Sequence, residues 1–387
     1  MNATATENSR RAIALWLFVV CALVFAMVVL GGVTRLTRSG LSIVEWQPLI
    51  GTLPPLTHAD WLALFEKYKL TPEYQKVNVG MDLAGFQNIF WLEYFHRLLG
   101  RLIGLAFLLP FLYFMARKQV ERALAPKLWL LFALGAAQGL LGWLMVKSGL
   151  VDVPRVSPYR LSAHLSLAIL IYGGVLWVAL GLLYPTTARD GGRSGLLQRM
   201  RLHSLGITPS MEGRSAGNAG AAFRQSQAAD TVAPLRRFGL AVTGLIFLMI
   251  VSGGFVAGTH AGFVFNDWPF MHGRLVPEGL LALEPWWRNG FENLATVQFN
   301  HRLLAYLLCL TIPAYWLAAR RHALDARARL LIHLLPAVLA VQVALGITTL
   351  LFVVPIPLAA AHQAGAVVLF TLALLLNHRL RSKPAQS

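Results

Sequence analysis

The 387-residue chain is 56% hydrophobic and only 13% charged, with a mean hydropathy of +0.58 and a formal net charge of +17. That balance excludes an ordinary soluble globular domain. It also argues against a nucleic-acid partner, because the basic residues fall in short scattered loops rather than on one patch.

Apolar runs near the roughly 20 residues that cross a bilayer recur along the chain. They lie at about 12–32, 88–115, 126–146, 160–184, 237–257, 293–318, 329–353 and 357–377. Arg10/Arg11, Arg117/Lys118/Arg122/Lys127, the Arg-rich stretch from Arg189 to Arg237, Arg320/Arg321/Arg327/Arg329 and Arg379/Arg381/Lys383 then share one side. By the positive-inside rule that side is the cytoplasm, with both termini in. The first run follows Arg10-Arg11 and is too long for a signal-peptide core, so it reads as a retained helix. Cys21 and Cys309 both lie inside apolar runs and give no disulfide between outer loops.

The first outer loop, about residues 33–87, holds an amphipathic stretch at Ala59–Tyr68 whose Trp61, Leu62, Leu64 and Phe65 suit a headgroup boundary. The second long outer loop, about 258–292, offers Trp286-Trp287 as interface anchors. Between the halves, residues 187–235 are rich in Gly, Ser, Ala and Arg and read as a flexible cytoplasmic linker.

The two halves repeat each other. Gly31-Gly32 is expected to end helix one and Gly253-Gly254 helix five. At the same offset Thr37 matches Thr259, Gly40 matches Gly262, and Trp46 matches Trp268, each Trp preceded by an acid, Glu45 or Asp267. Gln138-x-x-x-Gly142 recurs as Gln342-x-x-x-Gly346, and His96-Arg97-Leu98-Leu99 recurs as His301-Arg302-Leu303-Leu304. Glu93, however, is replaced by Gln298. The expected fold is an all-α membrane protein of eight transmembrane helices in two tandem, duplicated four-helix bundles, residues 1–186 and 236–387. Four helices per copy make the repeat parallel rather than inverted.

Of eleven histidines, His96, His164, His301 and His362 are set apart. Each sits one to two turns inside the outer end of an even-numbered helix, roughly 6–12 Å deep at 1.5 Å per residue. They pair by repeat, His96 with His301 and His164 with His362. Two imidazoles at equal depth in one bundle can clamp a planar metal macrocycle from both faces, and neutral imidazole is a good axial ligand for haem iron. A single membrane histidine more often hydrogen-bonds a neighbouring helix, so the matched quartet carries the metal-ligand reading.

Arg97 and Arg302 directly follow two of these histidines, where a guanidinium suits a haem propionate or snorkels to headgroups. Gly100 and Gly142 are expected to allow close approach of a helix or a flat ring. Glu93 shares a helix face with His96 and could move protons or stabilise positive charge there, or else is an interfacial carboxylate paired to Arg97 or Arg101. His203, His322 and His378 read as solvated on the cytoplasmic side, and His333 opens helix seven there. His58, His260 and His272 belong to the outer loops, where His260 lies by a Gly-rich turn that could touch a cofactor edge.

With two histidine pairs, a duplicated four-helix frame and Glu93-x-x-His96, nearly the whole chain resembles haem A synthase, the membrane enzyme of cytochrome oxidase assembly. The resemblance implies oxidation of the haem O C8 methyl to a formyl group through a hydroxymethyl intermediate. It implies a resident haem b on His301 and His362, and haem O as substrate at His96 and His164 with Glu93 as the essential carboxylate. Members of one branch carry a cysteine pair in the first outer loop; this loop has none and resembles the cysteine-free proteobacterial and mitochondrial branch. Expected partners are haem O synthase, an electron donor and the lipid bilayer, with a homo-oligomer left open. The expected location is a bacterial inner membrane, haem sites toward the periplasm. The alternative is a b-type dihaem electron carrier linked to quinol. Both sites at one depth speak against it, since a transmembrane wire places haems near opposite faces. A transporter, the third reading, would leave the histidine quartet unexplained.

Overall fold

The computed structural model describes residues 3–45, 50–149, 156–185 and 216–381, and among these there are helices and loops but no strand. An apolar segment in lipid must satisfy every backbone N–H and C=O internally, which a helix does. Helix α1 is Ala3–Leu36, α2 His58–Lys69, α3 Pro72–Lys76, α4 Leu83–Ala116, α5 Ala125–Gly149 and α6 Pro158–Leu183. Helix α7 is Ala216–Thr259, α8 Asn289–Glu292, α9 Leu294–Ala319, α10 Ala326–Leu351 and α11 Ile356–Arg381. Eight of them (α1, α4–α7 and α9–α11) are long and apolar enough to cross a membrane.

Helices α1, α6, α7 and α11 form the centre. Helix α1 packs on α6, α4 and α11, and α7 packs on α9, α6 and α11. The most apolar stretches of α1 and α6 are 44% buried, whereas that of α5 is 6% buried and turns its apolar surface outward. The first and last four spans meet through small residues. A β-carbon on Gly254 or Gly258 of α7 would stand 3.0 Å from Ser162 Oγ or 2.8 Å from Pro158 Cα of α6. This is the small-x-x-x-small approach of membrane helices, used here inside one chain. Gln363 Nε2 donates to Val28 O (2.7 Å), and the Tyr172 and Thr371 hydroxyls share a 2.8 Å bond.

Several boundaries differ from the sequence reading. Gly31-Gly32 and Gly253-Gly254 do not end helices, since α1 continues to Leu36 and α7 to Thr259. Without water, the intrahelical hydrogen bond outweighs glycine's weak propensity. Helix α4 starts at Leu83, with Asp82 Oδ1 accepting from Gly85 N at 2.8 Å as an N-cap. His96 is therefore thirteen residues from its helix start, while His164, His301 and His362 are six or seven from theirs.

The extra turns of α4 receive α2. Trp61, Phe65 and Tyr68 are buried against Phe86 and Phe90, with ring centroids of Tyr68–Phe86 and Trp61–Phe90 at 5.1 and 4.9 Å. Burying each such ring is worth about 1.5–3 kcal/mol. The aromatic face of α2 thus packs on the protein itself, not on headgroups; of Trp61, Leu62, Leu64 and Phe65 only Leu62 is exposed. Trp286 and Trp287, in contrast, are exposed. The expected linker, 187–235, falls largely outside the described residues, but from Ala216 the chain is helical and continuous with α7. His378 is buried against the edge of Trp177 at 5.2 Å rather than solvated. His203 and Trp46 lie outside the described residues.

Candidate functional site

Each of the four histidines rests on a glycine of a neighbouring helix. A β-carbon on Gly31 (α1) would stand 3.1 Å from His96 Nε2, and one on Gly142 (α5) 3.1 Å from His164 Cε1. In the second half, a β-carbon on Gly253 (α7) would stand 3.4 Å from His301 Cε1, and one on Gly346 (α10) 2.8 Å from His362 Cε1. The glycines lie five to seven residues before the helix ends at Leu36, Gly149, Thr259 and Leu351. They therefore put the four rings at a similar depth, about 8–11 Å from those ends. Gly142 fulfils the expected close approach; Gly100 meets only Met27 Cε at an ordinary 3.5 Å.

The rings lie within electrostatic reach of one another in pairs, His96 with His164 and His301 with His362. None of the four Nε2 atoms takes part in a hydrogen bond, and none is sealed among its neighbours. Among the described residues no three His, Cys, Asp or Glu side chains converge as a metal site. A macrocycle that brings four nitrogens of its own needs only two further donors, so a pair of imidazoles with free Nε2 atoms fits haem better than a bare ion.

Glu93 is 2% exposed. Its Oε2 accepts from Ser42 N (2.7 Å), Ser42 Oγ (2.7 Å) and Ile43 N (2.8 Å), and its Oε1 accepts from Arg97 Nε and Nη2 (3.0 and 2.6 Å). Arg97 also donates to Ile43 O and Glu45 O. At the constant offset the second half answers: Arg302 donates to Phe265 O and Asp267 O, as well as to Phe270 O and Gln298 Oε1. The exchange of Glu93 for Gln298 is matched by the loop it holds. Beside Glu93 the loop turns backbone N–H groups inward; beside Gln298 it turns the Ala261 and Phe265 carbonyls, which accept from Gln298 Nε2. Each side chain suits its own loop as donor or acceptor.

Both arginines are thus engaged with the loops, acceptors that sequence reasoning missed because carbonyls leave no mark in a sequence. Arg35, also missed, reaches across the halves from α1 to Ala257 O (3.1 Å) and His260 Nε2 (2.9 Å). His260 sits at φ +63°, a left-handed turn after α7. His272 lies in a loop against Phe265, and His333 accepts from Trp316 Nε1 at 2.9 Å. A second buried carboxylate, Glu73 in α3, is 4% exposed, with Oε2 lacking a hydrogen bond. Burial, and secondarily the nearby Glu93, pushes its carboxyl up to about 8.

Residues 14–211 and 212–374 match the COX15-CtaA family, described as cytochrome oxidase assembly protein. The chain belongs to that family. It is 55% identical over 374 residues to the protein named heme A synthase of Nitrosospira multiformis, covering 96% of this chain and 94% of the relative. It is 50% identical over 368 residues to the heme A synthase of Nitrosomonas eutropha, covering 95% and 93%. Heme A synthase COX15 of Arabidopsis thaliana is 43% identical over 390 residues, covering 99% of this chain and 78% of the plant protein. Family membership agrees with the eight apolar helices.

Proposed function

We propose that this protein is a haem A synthase that converts the C8 methyl of haem O to a formyl group through a hydroxymethyl intermediate. In this reading haem O binds as substrate between His96 and His164, and a resident haem b is held by His301 and His362. The observation that carries it is the repeated site with one difference: two glycine-seated histidine pairs, of which only the first has a buried carboxylate, Glu93, one turn from a ligand. The close relatives named heme A synthase supply the activity.

The resident haem would supply electron transfer, and oxidation of so unreactive a methyl group belongs to haem chemistry rather than to a side chain. The protein positions the substrate. His96 and His164 orient the ring, and their glycine seats set its depth. Glu93 is fixed by five donors, so it acts through its placed charge on positive charge developing at the reacting carbon, not by carrying protons. Arg97 and Arg302, the cofactor-side arginines, hold the loops beside the two sites. Haem O synthase as the source of substrate, an electron partner and a bacterial inner membrane complete the proposal.

Mass spectrometry of haems extracted from the purified protein, co-expressed with a haem O source, tests it. Haem A or its hydroxymethyl precursor beside haem B is the expected result. Haem B alone, fully reducible by a quinol, would replace this reading with a dihaem electron carrier.

A further inference from the structure

The two histidine pairs are braced differently. In the second half both Nδ1 atoms have partners. His301 Nδ1 lies 3.3 Å from Ser252 Oγ, and His362 Nδ1 lies 3.1 Å from Gln342 O. Gln342 Nε2 also donates to His362 O (2.8 Å), closing a clamp around that residue. The same Nδ1 lies 3.1 Å from Gln342 Nε2, so the backbone and the side chain of Gln342 both brace it, and His362 Nε2 is left without a hydrogen bond. In the first half the counterpart of Ser252 is Leu30, which offers His96 nothing. Gln138, the counterpart of Gln342, bonds only the His164 carbonyl (3.0 Å), and His164 Nδ1 is buried without a partner.

A hydrogen bond to the second nitrogen fixes the ring plane and tautomer of a metal-binding histidine and raises its basicity. We infer that Ser252 and Gln342 are positioning residues that make the His301/His362 site a permanent haem site, and that the absence of such Nδ1 contacts in the first half leaves His96 and His164 able to release their ligand. This rests on the two-site reading given above and adds the residues that divide resident from exchangeable. An enzyme that must admit haem O and discharge its product needs one loose site and one tight one. The duplicated frame achieves this with side chains behind the ligands rather than with different ligands.

The test uses the full-length protein loaded with haem in detergent and mixed with excess apomyoglobin as a haem scavenger. Wild type is expected to release haem in two phases, fast from the first half and slow from the second. Ser252→Ala should speed the slow phase about 10- to 100-fold and raise the reduction potential of that haem, because a less basic imidazole favours ferric iron less. Ser252→Thr should restore both. Leu30→Ser, which offers His96 a hydroxyl, should slow the fast phase and leave the slow one alone. A Ser252→Ala protein with two bound haems, an unchanged slow phase and an unchanged potential would overturn the inference. Wild type that binds no haem would instead overturn the two-site reading itself.

Discussion

The glycine seats make a graded prediction from four distances. In a helix interior, Gly→Ala normally stabilises by about 0.5–1 kcal/mol. At Gly253 the new methyl would stand 3.4 Å from His301 Cε1, an ordinary contact, so Gly253→Ala should keep its haem and melt no lower than wild type. At Gly346 the methyl would stand 2.8 Å from His362 Cε1 and must push the ring away by about 0.6 Å or more to reach ordinary contact. Metal–ligand bonds tolerate about 0.2 Å, and the ring cannot yield freely while Gln342 holds it. Gly346→Ala should therefore lose most haem from the second half. Gly31→Ala and Gly142→Ala, at 3.1 Å, should fall between, with haem retained but weakened in the first half. Haem-to-protein ratio by pyridine haemochrome, with thermal melts of the same samples, reads both effects. If Gly253→Ala loses as much haem as Gly346→Ala, the glycines are not seats for the rings.

Glu93→Gln keeps the shape but sets an amide where Arg97 has its carboxylate, and losing such charge-assisted bonds costs about 1.5–3 kcal/mol each before relaxation. Haem should stay bound while haem A output, measured by mass spectrometry, ceases; normal output would refute the role. Arg302→Met removes the donor to the carbonyls of Asp267 and Phe270 and one of two donors to that of Phe265, so the loop between α7 and α9 should become protease-sensitive, read by limited proteolysis. Glu73 gives a pH dependence. Its folded value, about 8, lies above the unfolded value of about 4.5, so its stability is full below about 4.5 and is lost as pH rises through about 8. Thermal melts from pH 5 to 9 should show this fall, and Glu73→Gln should flatten it; an identical slope in the variant would show that another group is responsible.

Much of this was written in the chain. Runs of apolar residues near the length of a bilayer crossing specify eight helices because lipid leaves the backbone no other way to satisfy its polar groups. The repeated His-Arg-Leu-Leu and Gln-x-x-x-Gly motifs, which match His96 with His301 and Gln138 with Gln342, marked the site residues. The Glu93–Gln298 exchange was equally visible as a change of residue type three positions before the matched histidines.

Tertiary structure decided what those residues touch. Trp61 and Phe65 read as membrane anchors, but an apolar face binds whichever apolar surface is nearest, and α4, lengthened by its Asp82 cap, was nearer than lipid. Arg97 and Arg302 read as partners of an anion, yet their bonds with loop carbonyls depend on backbone orientation, which no side-chain pattern encodes. The glycine pairs were noticed as helix ends, whereas their role is the absence of a β-carbon opposite a ring on another helix. The bracing of His301 by Ser252, against Leu30 in the first half, was a single difference among many. It gained meaning only when folding set that hydroxyl 3.3 Å from an imidazole nitrogen.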